Sequence, residues 1–251
     1  KKIPKIVNGI DKILEMLRKN DTFATFFMVG ELLESNPELL DKIIDNEHEI
    51  AFHTMQHSRL DNMDEEKFDD EINQFKKLTN GKSKGFRAPT FSLNNSSSWA
   101  INILEKYGYV YDSSIVPAKT RLYGIPNGER TPYKITKSNL GKNDPKGKIL
   151  EFPIMISNFM GKKIPSGGGF YLRTLPQKMI KNSIKKYEKE DIPATFYIHS
   201  WELTPEHMPK ISLPIVDNFV TYHNLNKAKS RMDNILKQFN FTSFEKYMNN
   251  K

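Results

Sequence analysis

Two of the six histidines in this 251-residue chain lie four positions apart, in the stretch HTMQH at 53–57. An H-x3-H pair within one turn can direct two imidazoles, His53 and His57, at one point, as a zinc site requires. The same spacing also arises by coincidence, and the pair does not settle the matter alone. Arg87, in GFRAPTF, would need a carboxylate or an anionic ligand if buried, and none if it lies on an exposed strand end. Asp112, in YDSS, could be that carboxylate or could orient a histidine. It could equally close a turn with Ser113 and Ser114. His199 ends the apolar run ATFYIH, where it is either a general acid or a hydrogen-bonded core residue. The GGG run at 167–169 either lets a ligand approach the backbone or makes a tight turn. His48, just before a strand, is expected to be a surface or turn histidine.

Positioning these residues requires alternating strands and helices. Helical spacing covers 3–19, with Ile6, Val7, Ile10, Ile13, Leu14 and Leu17 on one face. ATFFMVG at 24–30 reads as a buried strand. The next helix is expected to be capped by Ser35, with Pro37 in its first turn. Further strands are expected at 49–53, 85–89, 109–116, 149–156 and 193–203, with helices over 64–79, after SSS at 96–98, over 176–189 and over 224–239. Residues 117–148, rich in Gly, Pro, Lys and Asn, read as a long loop. Strands buried on both faces and alternating with helices imply a parallel α/β architecture in a single domain over 1–251. Function in such folds collects at the carboxyl ends of the strands. His53, Arg87, Asp112 and His199 each close a different strand.

The chain has no cysteine, which excludes disulfides and thiolate ligands and leaves His, Asp and Glu for any metal. The net charge of +8 comes from abundant lysines interleaved with acids, as in KKYEKED at 185–191, rather than from one dense basic tract. A nucleic-acid partner is therefore not expected. The apolar runs are too short to span a membrane, and no signal peptide is visible. The chain opens on Lys1 rather than Met, and a trimmed N-terminus is expected.

In order along the chain, ATFFMVGE, HEIAFHTMQH, GFRAPTFSL, YDSSIVP, EFPI, SGGGFYLRTLP and IHSWEL resemble the polysaccharide deacetylases of carbohydrate esterase family four. The likeness is greatest to the subgroup associated with exopolysaccharide gene clusters. The resemblance, from about residue 10 to 241, implies a distorted (β/α) barrel holding one divalent metal, usually zinc. It also implies hydrolysis of N-acetyl groups on the amino sugars of a glycan. By that likeness His53 and His57 are metal ligands, and His199 protonates the leaving amine. Arg87 braces the catalytic base, and Asp112 tunes His199 or holds Arg87. Thr90 offers a backbone N–H to the oxyanion, and Trp201 lines the substrate groove. The family's first strand, with the acidic pair that supplies the third ligand and the base, has no counterpart here. The barrel is therefore expected to lack its first strand. The alternative is a catalytically inactive glycan-binding protein on the same fold.

Overall fold

The computed structural model describes residues 4–208 and 211–251, with side chains from residue 9 onward. Ile6 and Val7, expected on the inner face of the first helix, lie outside the described side chains. The elements run α1 (Pro4–Lys19), β1 (Thr25–Met28), α2 (Gly30–Ser35), α3 (Glu38–Ile44), β2 (Glu49–Phe52), α4 (Glu65–Leu78), β3 (Gly85–Phe86), α5 (Ala100–Lys106) and β4 (Tyr111–Asp112). They continue with β5 (Tyr133–Ile135), β6 (Ile149–Glu151), the hairpin of β7 (Ile156–Phe159) and β8 (Lys162–Pro165), then α6 (Gly169–Thr174) and α7 (Gln177–Lys189). Four helices follow: α8 (Ser200–Leu203), α9 (Ile215–Tyr222), α10 (Ala228–Leu236) and α11 (Phe244–Asn249).

The main sheet has the order β1-β2-β3-β4-β6-β5. Its first five strands are parallel, and only β5 runs against its neighbour β6. Past β6 the wall continues through single parallel bridges, Ile154 to Thr195 and Gly168 to Tyr197. This is the distorted barrel expected from the motifs. Each βαβ crossover places a helix outside the sheet, and the helices bury one apolar stripe each. On α4 these residues are Phe68, Ile72 and Phe75, which meet the strand residues Phe52 and Phe86 in an aromatic cluster with ring centres 4.6–6.2 Å apart. Asp64 starts α4 by accepting the Lys67 N–H at 2.9 Å, as a capping carboxylate does.

Several boundaries differ from the sequence reading. Ser35 ends α2 instead of capping α3, because Gly30–Ser35 forms a helix of its own and Pro37 occupies the cap of α3. Of 109–116 only Tyr111–Asp112 pairs as strand, and 193–203 contributes two bridges before turning into α8. The expected loop 117–148 contains β5. His48 is buried rather than exposed, and its Nδ1 accepts the Ala24 N–H at 3.3 Å.

The last helix closes the amino end of the barrel. Ser243 caps α11, and Phe244 packs on Phe27, Tyr111 and Phe152 with ring centres 4.7–6.0 Å away. Beneath it Glu49 accepts from Thr25 Oγ1 (2.5 Å), Tyr111 OH (2.7 Å) and the Glu245 N–H (3.1 Å). A buried carboxylate is tolerable there because three donors replace its water.

Candidate active site

The carboxyl ends of β2 and β3 meet at His53. Its Nδ1–H donates to the Arg87 carbonyl at 2.6 Å, which fixes the tautomer and leaves the Nε2 lone pair free. Burial holds this imidazole down at about pKa 3, so the ring is neutral at pH 7. The His57 ring lies 4.9 Å from it, centre to centre, at 67°. Two imidazoles on one tetrahedral zinc, bonded at about 2.0–2.1 Å, bring their ring centres to about 5 Å. Burial, and after it the nearby His199, also lowers the His57 pKa. The two rings therefore fit the imidazole part of a metal site in separation, and His53 fits it in tautomer and charge as well. Among the described residues, no group of three or more His, Asp or Glu gathers to complete it.

The turn that carries the two histidines is held from below. Met55 N–H donates to the buried Glu71 carboxylate at 2.8 Å, while Gly30 and Glu31 donate to the Thr54 and Met55 carbonyls. Thr54 and His57 both have positive φ, 59° and 57°. Non-glycine residues are held in that region only when their surroundings over-determine them, and such positions cluster at functional sites.

Arg87 is buried, and burial pulls its pKa to about 10. Its Nε donates to the Ser113 carbonyl at 2.8 Å and its Nη2 to Ser113 Oγ at 2.6 Å. The guanidinium lies 4.1 Å from the Phe27 ring centre. Neither bond ends on a carboxylate. Asp112, at the end of β4, makes neither of its expected contacts. Its carboxylate accepts from Ser114 Oγ (2.7 Å) and the Ser114 N–H (3.1 Å), the local Asx-type turn, and it faces Glu151. Burial raises both carboxyl pKa values. Glu151 Oε1 accepts the Ile115 N–H, but Oε2 is buried without a partner. A proton kept on one of the two facing acids would give Oε2 its partner. Thr90 sits in the short turn after β3 with φ 54°, and Phe91 beside it packs on Tyr123 and Tyr197.

His199 comes from the other half of the chain. Its ring stacks on Trp201 (5.3 Å, 18°) and stands edge-on to Tyr197 (5.7 Å, 90°). The residue that orients it is Glu202, whose Oε2 accepts both the His199 N–H (3.1 Å) and Nδ1–H (3.0 Å). The sequence signal for this was the three-residue step from His199 to Glu202, the spacing of a capping box at the start of α8. Burial pushes the Glu202 carboxyl up, but His199 and Arg173 together pull it below the usual range.

The glycine run is explained by the same segment. A Cβ on Gly167 would lie 2.4 Å from the Thr195 carbonyl oxygen, one on Gly168 2.6 Å from the Tyr197 ring, and one on Gly169 1.8 Å from Glu202 Oε2. Each glycine lets one residue of the His199 segment come close.

Residues 4–111 match the family model described as polysaccharide deacetylase, and residues 113–249 match one described as a domain of unknown function, DUF3473. The model that covers more than half of the chain is DUF3473, so the chain belongs to that family, and its N-terminal part, residues 4–111, is a polysaccharide deacetylase domain. Among curated relatives, a peptidoglycan-N-acetylglucosamine deacetylase of Bacillus cereus is 38% identical over 67 residues, 27% of this chain and 32% of the relative. A peptidoglycan deacetylase-like protein, FGM2, of Gibberella zeae is 27% identical over 157 residues, 58% of this chain and 46% of the relative. The chain thus spans less than half the length of either. Among solved structures, a Mycobacterium smegmatis protein assigned as a polysaccharide deacetylase aligns over 96% of this chain and 76% of its own, with TM-score 0.60 and 14% identity. Puue allantoinase aligns over 95% and 70%, with TM-score 0.57 and 16% identity. At these identities the structural likeness concerns the fold.

Proposed function

We propose that this chain carries the site of a metal-dependent deacetylase that hydrolyses N-acetyl groups on the amino sugars of a glycan. One observation carries the reading. His53, with its tautomer fixed by the Arg87 carbonyl, lies a zinc-compatible distance from His57. The electrostatic influence of His199 reaches both rings. His53 and His57 would hold one divalent ion, with zinc the best match to two imidazoles. When bound, the ion polarises the acetyl carbonyl and acidifies a water.

The remaining roles belong to this chain's own groups. His199 donates a proton from Nε2 to the leaving amine as the C–N bond breaks, while Glu202 holds its Nδ1–H. The Thr90 N–H steadies the developing oxyanion. Arg87, tied to Ser113 and lying over Phe27, keeps a positive charge facing the site for an anionic partner. Trp201 stacks on His199 and also lies 5.7 Å from the Arg173 guanidinium, so a sugar would meet the part of the half-buried indole that these two leave uncovered. Asp112 acts at one remove: it fixes Ser114, whose Oγ accepts the Ala88 N–H at 2.8 Å beside Arg87.

The described residues gather no carboxylate beside His53 and His57 to take the water's proton. A positioned general base is worth on the order of 10²–10⁴-fold. The 251-residue chain is therefore expected to release acetate from N-acetylglucosamine oligomers slowly in zinc or cobalt. A version carrying an added strand ahead of Lys1 that ends in an Asp pair should be faster by that factor. Equal rates would show that the base lies within residues 1–251 and would overturn the assignment. A lectin-like reading predicts oligomer binding with no acetate from either version.

A further inference from the structure

We propose that Arg173 and Glu202 are the positioning residues of His199, and that delivering this pre-oriented imidazole is the role of the C-terminal half of the chain. The proposal rests on the reading of His199 as the proton donor and extends it to residues that touch neither substrate nor metal.

Stacking on Trp201 and the edge contact with Tyr197 hold the plane of the half-exposed His199 ring, but they do not decide which ring nitrogen faces inward. The His199 side chain is 48% exposed, whereas Glu202 is 1% exposed. Glu202 binds the backbone and the ring of His199 through the same oxygen, Oε2. Its other oxygen, Oε1, accepts from Arg173 Nε at 2.7 Å. Arg173 is itself 1% exposed and sends its two remaining nitrogens to the end of α9. Nη1 donates to the His223 carbonyl at 2.6 Å and Nη2 to the Val220 carbonyl at 2.8 Å. Carbonyls in the last turn of a helix and just past it carry partial negative charge and suit a cation. Every nitrogen of the guanidinium is thus engaged, and the buried carboxylate has a partner on each oxygen.

Such a pair gains little stability over an apolar one of the same shape, but it permits only one geometry. Here that geometry sets the ring: Nδ1–H faces Glu202, so Nε2 is the atom left for proton exchange. Gly169 is part of the device, since any side chain there would occupy the place of Glu202 Oε2. The two halves of the chain then have distinct tasks. Residues 4–111 bring His53, His57 and Arg87, and residues 113–249 bring His199 with its own carboxylate and guanidinium.

The test reads the imidazole directly and needs no activity. Long-range proton–nitrogen NMR of the metal-free chain, read at a pH where the ring is neutral and with the His199 signals identified by their loss in His199→Gln, should show the Nδ1–H tautomer with a slowly exchanging proton. In the double variant Arg173→Met/Glu202→Gln, methyl spectra should report a folded protein. The His199 proton should exchange roughly ten- to a hundredfold faster, the scale of losing a hydrogen bond to a charged acceptor. If that variant does not fold, Arg173→Lys decides, because it keeps the charge and loses the fork; partial loosening of the same proton is expected. An unchanged tautomer and exchange rate in whichever folded variant is read would overturn the proposal. In any active preparation the variants should lower kcat and leave KM unchanged. Failure of the wild type to release acetate would instead count against the functional reading and leave the NMR result to judge this one.

Discussion

Glu151 and Asp112 sit fully buried beneath the site, and burial raises the pKa of both. In the unfolded chain both carboxyls ionise near pH 4. The folded form keeps a proton to higher pH, so it binds more protons than the unfolded form between those limits. Stability is then fully present below the ordinary carboxylate range and declines as pH rises toward the raised value. Glu151→Gln keeps an acceptor for the Ile115 N–H and offers Asp112 a permanent donor. Urea midpoints at pH 5 and pH 8 should lie closer together in this variant than in the wild type, and an equal gap in both would refute the retained proton. Glu202 runs the other way, since its folded pKa is lowered. Its contribution is present at neutral pH and is lost as pH falls below about 4. At this scale the sequence shows residue types well and partners poorly. His53, Arg87 and His199 are visible because each closes an apolar run. The partner of His199 is not, because the family likeness points to Asp112, which the turn after β4 commits to Ser114 instead.

Elements with a sustained period were legible: α4, α7 and α10 each show an apolar stripe, and burial enforces it. Short elements were not, because two-residue strands such as β3 and β4 exist through their neighbours rather than their own pattern. The helix α11 did carry a signal, with Ser243 as cap and Phe244, Tyr247 and Met248 one helical turn apart. Its place at the amino end of the barrel depends on contacts some 200 residues distant, with Thr25 and Glu49. Phe244→Ala should therefore destabilise the fold by about 2–3 kcal/mol, at or below the low end of the range for fully buried Phe→Ala substitutions, because the ring is partly exposed. Chemical denaturation measures this; a loss under about 0.5 kcal/mol, the scale of a neutral surface substitution, would mean the helix is not a plug. Gly169→Ala should cost more, since the added methyl would meet Glu202 rather than flexible atoms.

Across the whole molecule the +8 charge is dispersed. Lysines pair with acids on separated patches, Lys12 with Glu206, Lys106 with Asp69, Lys237 with Asp233 and Lys246 with Glu47. Dispersed pairs of this kind contribute little stability and build no phosphate-tracking stripe. Binding to duplex DNA should accordingly be weak and vanish by about 0.2 M salt; tight binding that persists there would contradict this. No helix among the described residues is long and apolar enough to cross a membrane. The barrel's overall order was readable from alternating strand and helix signals, whereas the bridged wall at Ile154, Thr195, Gly168 and Tyr197 was not, because single bridges leave no pattern.

The proposed deacetylation depends on His53 and His57 acting together on one ion. Zinc titration calorimetry on the 251-residue chain at neutral pH measures this most directly, with His53→Ala, His57→Ala and the control His207→Gln. One zinc per chain is expected, lost in either alanine variant and retained in the control. No zinc uptake by the wild type, or uptake that survives in either alanine variant, would contradict it.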